Sequence, residues 1–139
     1  FDLLRTYKKL FNWNLELFIL SKESNPVVLE RARKLKITCF HGIDDKYVFL
    51  KNYLKKKYPK KNNPEKEMIY VGNDLNDLEA AILSGLVIVP SDAHKLMQKN
   101  SNIISSKKGG EGFLRDLIEG IINIEDLPLE KIFQLLKKN

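Results

Sequence analysis

Cysteine is almost missing from this chain of 139 residues, and the single Cys39 excludes an internal disulfide. Its place in the apolar run Ile37 to Phe40 predicts a buried thiol in a reducing compartment. Long hydrophobic runs are missing too. No stretch approaches the roughly 20 apolar residues that a membrane-spanning helix needs, and no signal peptide precedes the first helix, so a cytoplasmic location without membrane contact is expected. Internal repeats and low-complexity segments are absent. With 43% hydrophobic residues the chain can bury a core, which predicts one domain over residues 1–139.

The net charge is +6, but its excess sits mainly in Lys55, Lys56, Lys57, Lys60, Lys61 and the tail Lys137, Lys138. Those positions are a helix end, a linker and a terminus. Lysines near a helix C-terminus complement its dipole, and no groove-like mixture of arginine and aromatic residues surrounds them. Nucleic-acid binding is therefore not expected, whereas a small anionic substrate would be drawn by the same field.

The most informative stretch is residues 66–90. Met68 to Val71 is a short apolar run, Gly72 breaks it, and Asp74 opens a segment apolar at Leu75, Leu78, Ala81 and Ile82. This pattern predicts strand, tight turn and helix. Gly85 is expected to close the helix as a left-handed cap before a second apolar run, Leu86 to Val89, stopped by Pro90. The unit is βαβ. Its turn carries Asp74 and Asp77, three residues apart and so on one side of the helix start. They read either as a capping box at the positive helix end or as a carboxylate pair whose repulsion, about 3 kcal/mol at an effective dielectric near 20, asks for a cation such as Mg²⁺.

The rest of the chain repeats the alternation. Leu3, Leu4, Tyr7, Leu10 and Phe11 predict an amphipathic helix from Asp2 to about Asn12. Leu15 to Leu20 predicts a strand, ended by the polar cluster Ser21 to Asn25, and Pro26 starts a helix running to about Lys36. Ile37 to Phe40 is the next strand, and Lys46 lies in the first turn of a helix with Tyr47, Leu50, Tyr53 and Leu54 inside. Residues 58–66, with Pro59 and Pro64, form a linker-like loop predicted to be exposed. Ser91 or Asp92 caps a short helix to about Gln98, Asn102 to Ser105 is a brief strand, and a glycine-rich turn at Gly109, Gly110 and Gly112 precedes a helix from Phe113. Leu127 to Lys138 is a last helix with Ile132, Phe133, Leu135 and Leu136 as its apolar face. Such alternation predicts an α/β fold with about five parallel strands covered by helices on both faces, a Rossmann-like three-layer sandwich.

That architecture gathers Ser21, Lys46, Asp74 and Asp77 at strand carboxyl ends, where open α/β sheets bind ligands. A hydroxyl, an ammonium and a carboxylate pair suit a phosphate with its Mg²⁺. Each residue also has an ordinary reading: Ser21 as a turn residue, Lys46 as a solvated helix lysine, and the glycines as a turn.

Five motifs in order, ILSKESNPVV, GIDDK, YVGNDLNDLEAA, SDAHK and GGEGFLRDL, resemble the haloacid dehalogenase (HAD) superfamily. Within it the chain is similar to phosphatases acting on 3-deoxy-octulosonate 8-phosphate, and closer still to the domain found at the C-terminal end of acylneuraminate cytidylyltransferases. The resemblance spans about Asp2 to Leu117. It implies that Ser21 bonds the transferred phosphoryl group and that Lys46 stabilises its charge. It further implies that Asp74 binds Mg²⁺ with Asp77 in support, and that Asn25, Gly109, Gly110, Gly112 and Arg115 surround the phosphate and substrate. An acidic sugar phosphate as substrate and a homotetramer are implied in the same way.

One departure outweighs the matches. The resembling proteins begin with a strand ending in Asp-x-Asp, whose first aspartate is phosphorylated, and no such motif occurs here. The chain thus holds no nucleophile for a covalent step. That strand lies mid-sheet in the family fold, so the strands starting at Leu15 and Met68 are each expected to show an unpaired edge. An upstream segment is expected to supply both strand and aspartates. Three functions follow: a Mg²⁺-dependent sugar-phosphate phosphatase completed from upstream, an assembly or accessory domain of an acylneuraminate cytidylyltransferase, or a basic binding module without catalysis.

Overall fold

A computed structural model describes residues 1–137; Lys138, assigned above to the last helix and the charged tail, lies outside the described residues. Five strands and seven α-helices alternate along these residues: α1 Asp2–Leu10, β1 Phe18–Leu20, α2 Pro26–Leu35, β2 Thr38–Phe40, α3 Lys46–Lys57, β3 Ile69–Val71, α4 Leu78–Leu83, β4 Leu86–Val89, α5 Lys95–Lys99, β5 Ile103–Ile104, α6 Phe113–Ile121 and α7 Leu129–Leu136. The α/β class and the parallel pairing agree with the alternation read from the sequence.

The sheet, however, comes in two pieces. β1 pairs with β2 in the register Phe18 to Thr38, and β3, β4 and β5 form a separate three-stranded ladder in that order. β1 and β3 therefore each keep one edge without a ladder partner among the described residues. One apolar cluster still joins the pieces, because Phe18 and Leu20 of β1 pack against a core made of Tyr70, Val87 and Val89 from the other ladder and Leu50, Ala80, Ala81 and Met97 from helices. A second cluster, Leu4 with Ile118 and Ile122, ties α1 to α6.

Several boundaries differ from expectation for identifiable reasons. β1 starts at Phe18 rather than Leu15. Lys36 caps α2 in the left-handed region and Ile37 donates back to Ala32, so β2 offers no partner before Thr38. The segment after β3 is not a continuous helix from Asp74. A 3-10 turn, Leu75–Asp77, precedes α4. α5 is capped by His94, whose Nδ1 accepts from the Leu96 N–H, and not by Ser91 or Asp92. The loop expected to be exposed contains a 3-10 turn, Pro64–Glu67, with Glu65 buried and paired to Lys51 at 3.3 Å. In α7, Leu135 is buried but Phe133 and Leu136 are 59% and 63% exposed, so the four apolar residues do not share one inward face. At 3.6 residues per turn Phe133 falls on the side of Leu129.

Gly85 is the clearest correction. It is not among the residues with positive φ, and the helix ends instead on Ser84 in an extended conformation. Glycine is needed here for a long-range reason: an added Cβ would lie 1.9 Å from the Lys66 carbonyl oxygen.

At the amino end of β1, Glu16 accepts from Tyr53 Oη at 2.7 Å and Tyr58 Oη at 3.3 Å and forms an ion pair with Lys57. Partial burial works to raise its pKa, yet Lys57 and the two tyrosines outweigh burial and hold it below the usual glutamate value. A depressed pKa stabilises the fold above the unfolded value, near 4.3, and that contribution is lost as pH falls through the folded value. Urea titrations between pH 7 and pH 3 are thus expected to show a steeper loss of stability in the wild-type protein than in Glu16→Gln.

Candidate functional site

The carboxyl ends of the strands are joined by a chain of contacts. From the loop after β1, the Ser21 carbonyl accepts from Ile43 N–H at 3.0 Å and the Glu23 carbonyl from Gly42 N–H at 3.2 Å, which sets the loop leading into Lys46. Lys46 then reaches across to Asp77, Nζ to Oδ1 at 2.5 Å, with only 10% and 9% of the two side chains exposed. The Asn73 carbonyl accepts from His94 N–H at 2.8 Å, and Asp92 Oδ1 accepts from Gly109 N–H at 2.8 Å, fastening the glycine turn to the loop after β4. All five strand ends are linked in this way.

Asp77 is the hub. Its Oδ1 accepts from Lys46 Nζ and from Tyr70 Oη at 2.8 Å, and its Oδ2 accepts from the backbone N–H groups of Asn73 and Asp74 at 3.3 Å. Four donors saturate a buried carboxylate, which stabilises its charged form against the cost of desolvation. Gly72 makes room for it, because a Cβ there would come within 2.7 Å of Asp77 Oδ2. Asp74 and Asp77 also complete a capping box at the 3-10 turn, so the ordinary reading of this pair holds alongside the ion pair.

Tyr70 was not legible from the sequence as a site residue. Its position in a strand marks it as core, and the ring is core; only the hydroxyl turns to Asp77. Burial pushes its phenol pKa upward and the neighbouring carboxylate adds to that shift, so it remains a donor. Tyr70→Phe removes one charge-assisted bond and is expected to cost about 1.5–3 kcal/mol by urea denaturation.

The other expected site residues are placed less centrally. Ser21 Oγ accepts from Glu23 N–H at 3.1 Å, a turn contact that leaves the hydroxyl proton free to donate. Asn25 caps α2, its Oδ1 accepting from Val27 N–H at 2.9 Å. Gly110 and Gly112 hold φ of 81° and 85°, as a glycine turn requires. Arg115 has an 84% exposed side chain 3.9 Å from Glu119 of its own helix, and it is not among the hydrogen-bond or ion-pair partners of Asp77 in the described residues.

No protein-family model matches the chain. Among curated proteins, it is 27% identical over 114 residues to the 3-deoxy-D-manno-octulosonate 8-phosphate phosphatase KdsC of Yersinia pestis, covering 81% of this chain and 59% of that protein. Among solved structures, a protein of Streptomyces avermitilis described as a HAD family hydrolase superposes with a TM-score of 0.71 and 34% identity, over 85% of this chain and 66% of that one. The 3-deoxy-D-manno-octulosonate 8-phosphate phosphatase of Moraxella catarrhalis, solved with magnesium, phosphate and a KDO molecule, superposes with a TM-score of 0.71 and 28% identity, over 88% and 68%. The chain belongs to the haloacid dehalogenase superfamily.

As a HAD domain it is similar to the octulosonate phosphatases, while spanning 59% of the length of the curated relative it matches. Its own oxygen donors do not make a complete Mg²⁺ site. Among the described residues no group of three or more His, Cys, Asp or Glu is placed to hold a metal. Asp77 is fully engaged by its four donors, which leaves Asp74, one oxygen of which accepts from Leu75 N–H at 2.7 Å. Mg²⁺ takes six oxygens and is usually anchored by one or two carboxylates plus water and phosphate. Among the described residues, Asp74 is the carboxylate of this turn that is left for a metal.

No helix of the described residues is long and apolar enough to cross a membrane. Cys39, predicted to be buried, is half-buried on β2, where it pairs with Ile19 of β1.

Proposed function

We propose that this chain is the larger part of a divalent-metal-dependent phosphatase domain for an acidic sugar phosphate, of the 3-deoxy-octulosonate 8-phosphate or acylneuraminate 9-phosphate type. The observation that carries the reading is the buried Lys46–Asp77 pair at the carboxyl ends of parallel strands. A lysine held there in one rotamer is a preorganised positive charge for a phosphoryl group, worth most where water is excluded. Ser21 donates to a phosphoryl oxygen, and the backbone of Gly109, Gly110 and Gly112 borders the substrate. Asp74 is this chain's contribution to the metal site, which supplies charge neutralisation when complete. The nucleophilic and acid–base aspartates come from a strand, outside residues 1–139, that inserts between β1 and β3. The working enzyme is cytoplasmic and tetrameric in this proposal.

The test is phosphate release from both sugar phosphates, with and without Mg²⁺, by the chain alone and by a longer protein carrying its upstream sequence. Activity is expected only in the longer protein, and Asp74→Asn is expected to lower it at least about 100-fold, equivalent to about 2.7 kcal/mol of transition-state stabilisation. Turnover by the 139-residue chain itself would sink the proposal, as would an Asp74→Asn variant that retains full rate.

A second reading is kept by the match of SKESNPVV and VGNDLNDL: an assembly or accessory domain at the C-terminal end of an acylneuraminate cytidylyltransferase. The same longer protein distinguishes the two, since it would then form CMP-acylneuraminate and release no phosphate from either sugar phosphate.

A further inference from the structure

Away from the strand carboxyl ends, a cavity of about 400 Å³ opens at the amino ends of β1 and β2. Its walls bring together four cations from two helices and a helix cap: Arg5 and Lys8 of α1, Lys57 at the end of α3, and Lys36 as the cap of α2. Two of them are matched. Arg5 pairs with Asp2 and donates to the Leu35 carbonyl at 2.7 Å, and Lys57 pairs with Glu16. The Lys8 and Lys36 side chains have no hydrogen-bond or ion-pair partner among the described residues. Like charges collected at one cavity raise each other's energy, and an anion between them relieves it.

Lys36 adds a second observation. Its backbone sits at φ 52°, a left-handed helix end where glycine or asparagine is the usual residue. Holding lysine there costs conformational energy, and the residue so held is one that lines the cavity. The rest of the lining is mixed: Leu4, Leu15, Leu17 and Ile37 lie beside the Tyr58 ring, together with Asn14 and the Glu16 carboxylate that Lys57 neutralises. Two unmatched cations beside these apolar side chains call for a dianion that carries a carbon body.

We propose that this basin binds an organic phosphate, with the phosphate against Lys8 and Lys36 and the organic half on the leucines, at a site separate from the Lys46–Asp77 loops. The inference does not depend on the phosphatase reading. Anion binding here is expected to weaken with salt, since both lysines are exposed.

The experiment is a titration of the full 139-residue chain followed by amide ¹H–¹⁵N spectra, with phenyl phosphate, inorganic phosphate and phenol as probes. Phenyl phosphate is expected to shift amides of Lys8, residues 14–17 and Lys36, and to bind more tightly than either fragment. The double variant Lys8→Gln, Lys36→Asn is expected to bind about tenfold more weakly. Asparagine tolerates the left-handed backbone, so this variant keeps the fold, which its spectrum verifies. Shifts confined to Ser21, Lys46 and the glycine turn would overturn the proposal, and so would undiminished binding in the double variant. Equal affinity for inorganic and phenyl phosphate would overturn the assignment to an organic ligand. No shift up to about 10 mM phenyl phosphate would remove the site altogether.

Discussion

Gly85→Ala is expected to be among the most damaging single-methyl changes in this protein. The new Cβ would fall 1.9 Å from the Lys66 carbonyl oxygen and 2.8 Å from its carbonyl carbon, and both are backbone atoms. A side chain can swing aside from such a collision, but this backbone is held. Met68 O accepts from both Gly85 N–H at 3.1 Å and Leu86 N–H at 3.3 Å, and β3 continues directly into its ladder with β4. Relief requires moving the Lys66–Met68 segment, the start of β4, or both. Overpacking against a core costs about 1–3 kcal/mol when side chains can yield, so here the upper end or beyond is expected. Urea denaturation of Gly85→Ala beside Gly120→Ala makes the comparison, since a Cβ at Gly120 meets nothing within 4 Å and alanine there favours helix α6. Equal midpoints for the two variants would show that the Lys66–Gly85 contact does not constrain the fold.

The same glycine shows where sequence reading stops. Alternation of strands and helices, the parallel pairing and the grouping of Lys46 with Asp77 at strand ends were legible, because each rests on local pattern or on the topology that local pattern imposes. Local pattern makes Gly85 a helix cap, whereas its real constraint comes from a residue nineteen positions away, Lys66. Tyr70 was hidden for a related reason: its ring satisfies every expectation for a core strand residue, and only the three-dimensional placement of Asp77 gives its hydroxyl a task. Strand β1 is shorter than its apolar run because apolar composition reports what could pair, whereas the ladder begins only where β2 leaves its helix cap. The division between β1 and β3 was legible through the family resemblance alone. Nothing in the apolar run Met68 to Val71 distinguishes an edge from a centre. In the site, Asp74 and Asp77 read either as a capping box or as a carboxylate pair asking for a cation such as Mg²⁺; the capping box forms, and Asp77 caps through one oxygen while its other oxygen holds the Lys46 ammonium.

Lys46→Met is expected to cost more stability than any other change at the site, about 3–5 kcal/mol, because it strands a buried carboxylate. What remains around the carboxylate sets the cost. Asp77 keeps Tyr70 and two backbone N–H groups, which satisfy its lone pairs but bring no formal charge. The double variant Lys46→Met, Asp77→Leu removes both charges and is expected to recover much of the loss, since two apolar side chains can replace a buried pair at little net cost. Recovery will be incomplete, because the leucine also deletes the capping-box acceptor and leaves the Tyr70 hydroxyl and the Asn73 and Asp74 N–H groups without their partner. Denaturation midpoints of the wild-type protein, the two single variants and the double variant close the cycle and give the coupling energy directly. A coupling below about 0.5 kcal/mol would mean that the pair is solvated in practice; it would also withdraw the observation on which the phosphatase proposal rests, since a lysine free to leave Asp77 is not preorganised for a phosphoryl group. A coupling of several kcal/mol would instead mean that the fold spends stability to hold one ammonium at the mouth of the strands. That expenditure makes physical sense where an anion is to be received.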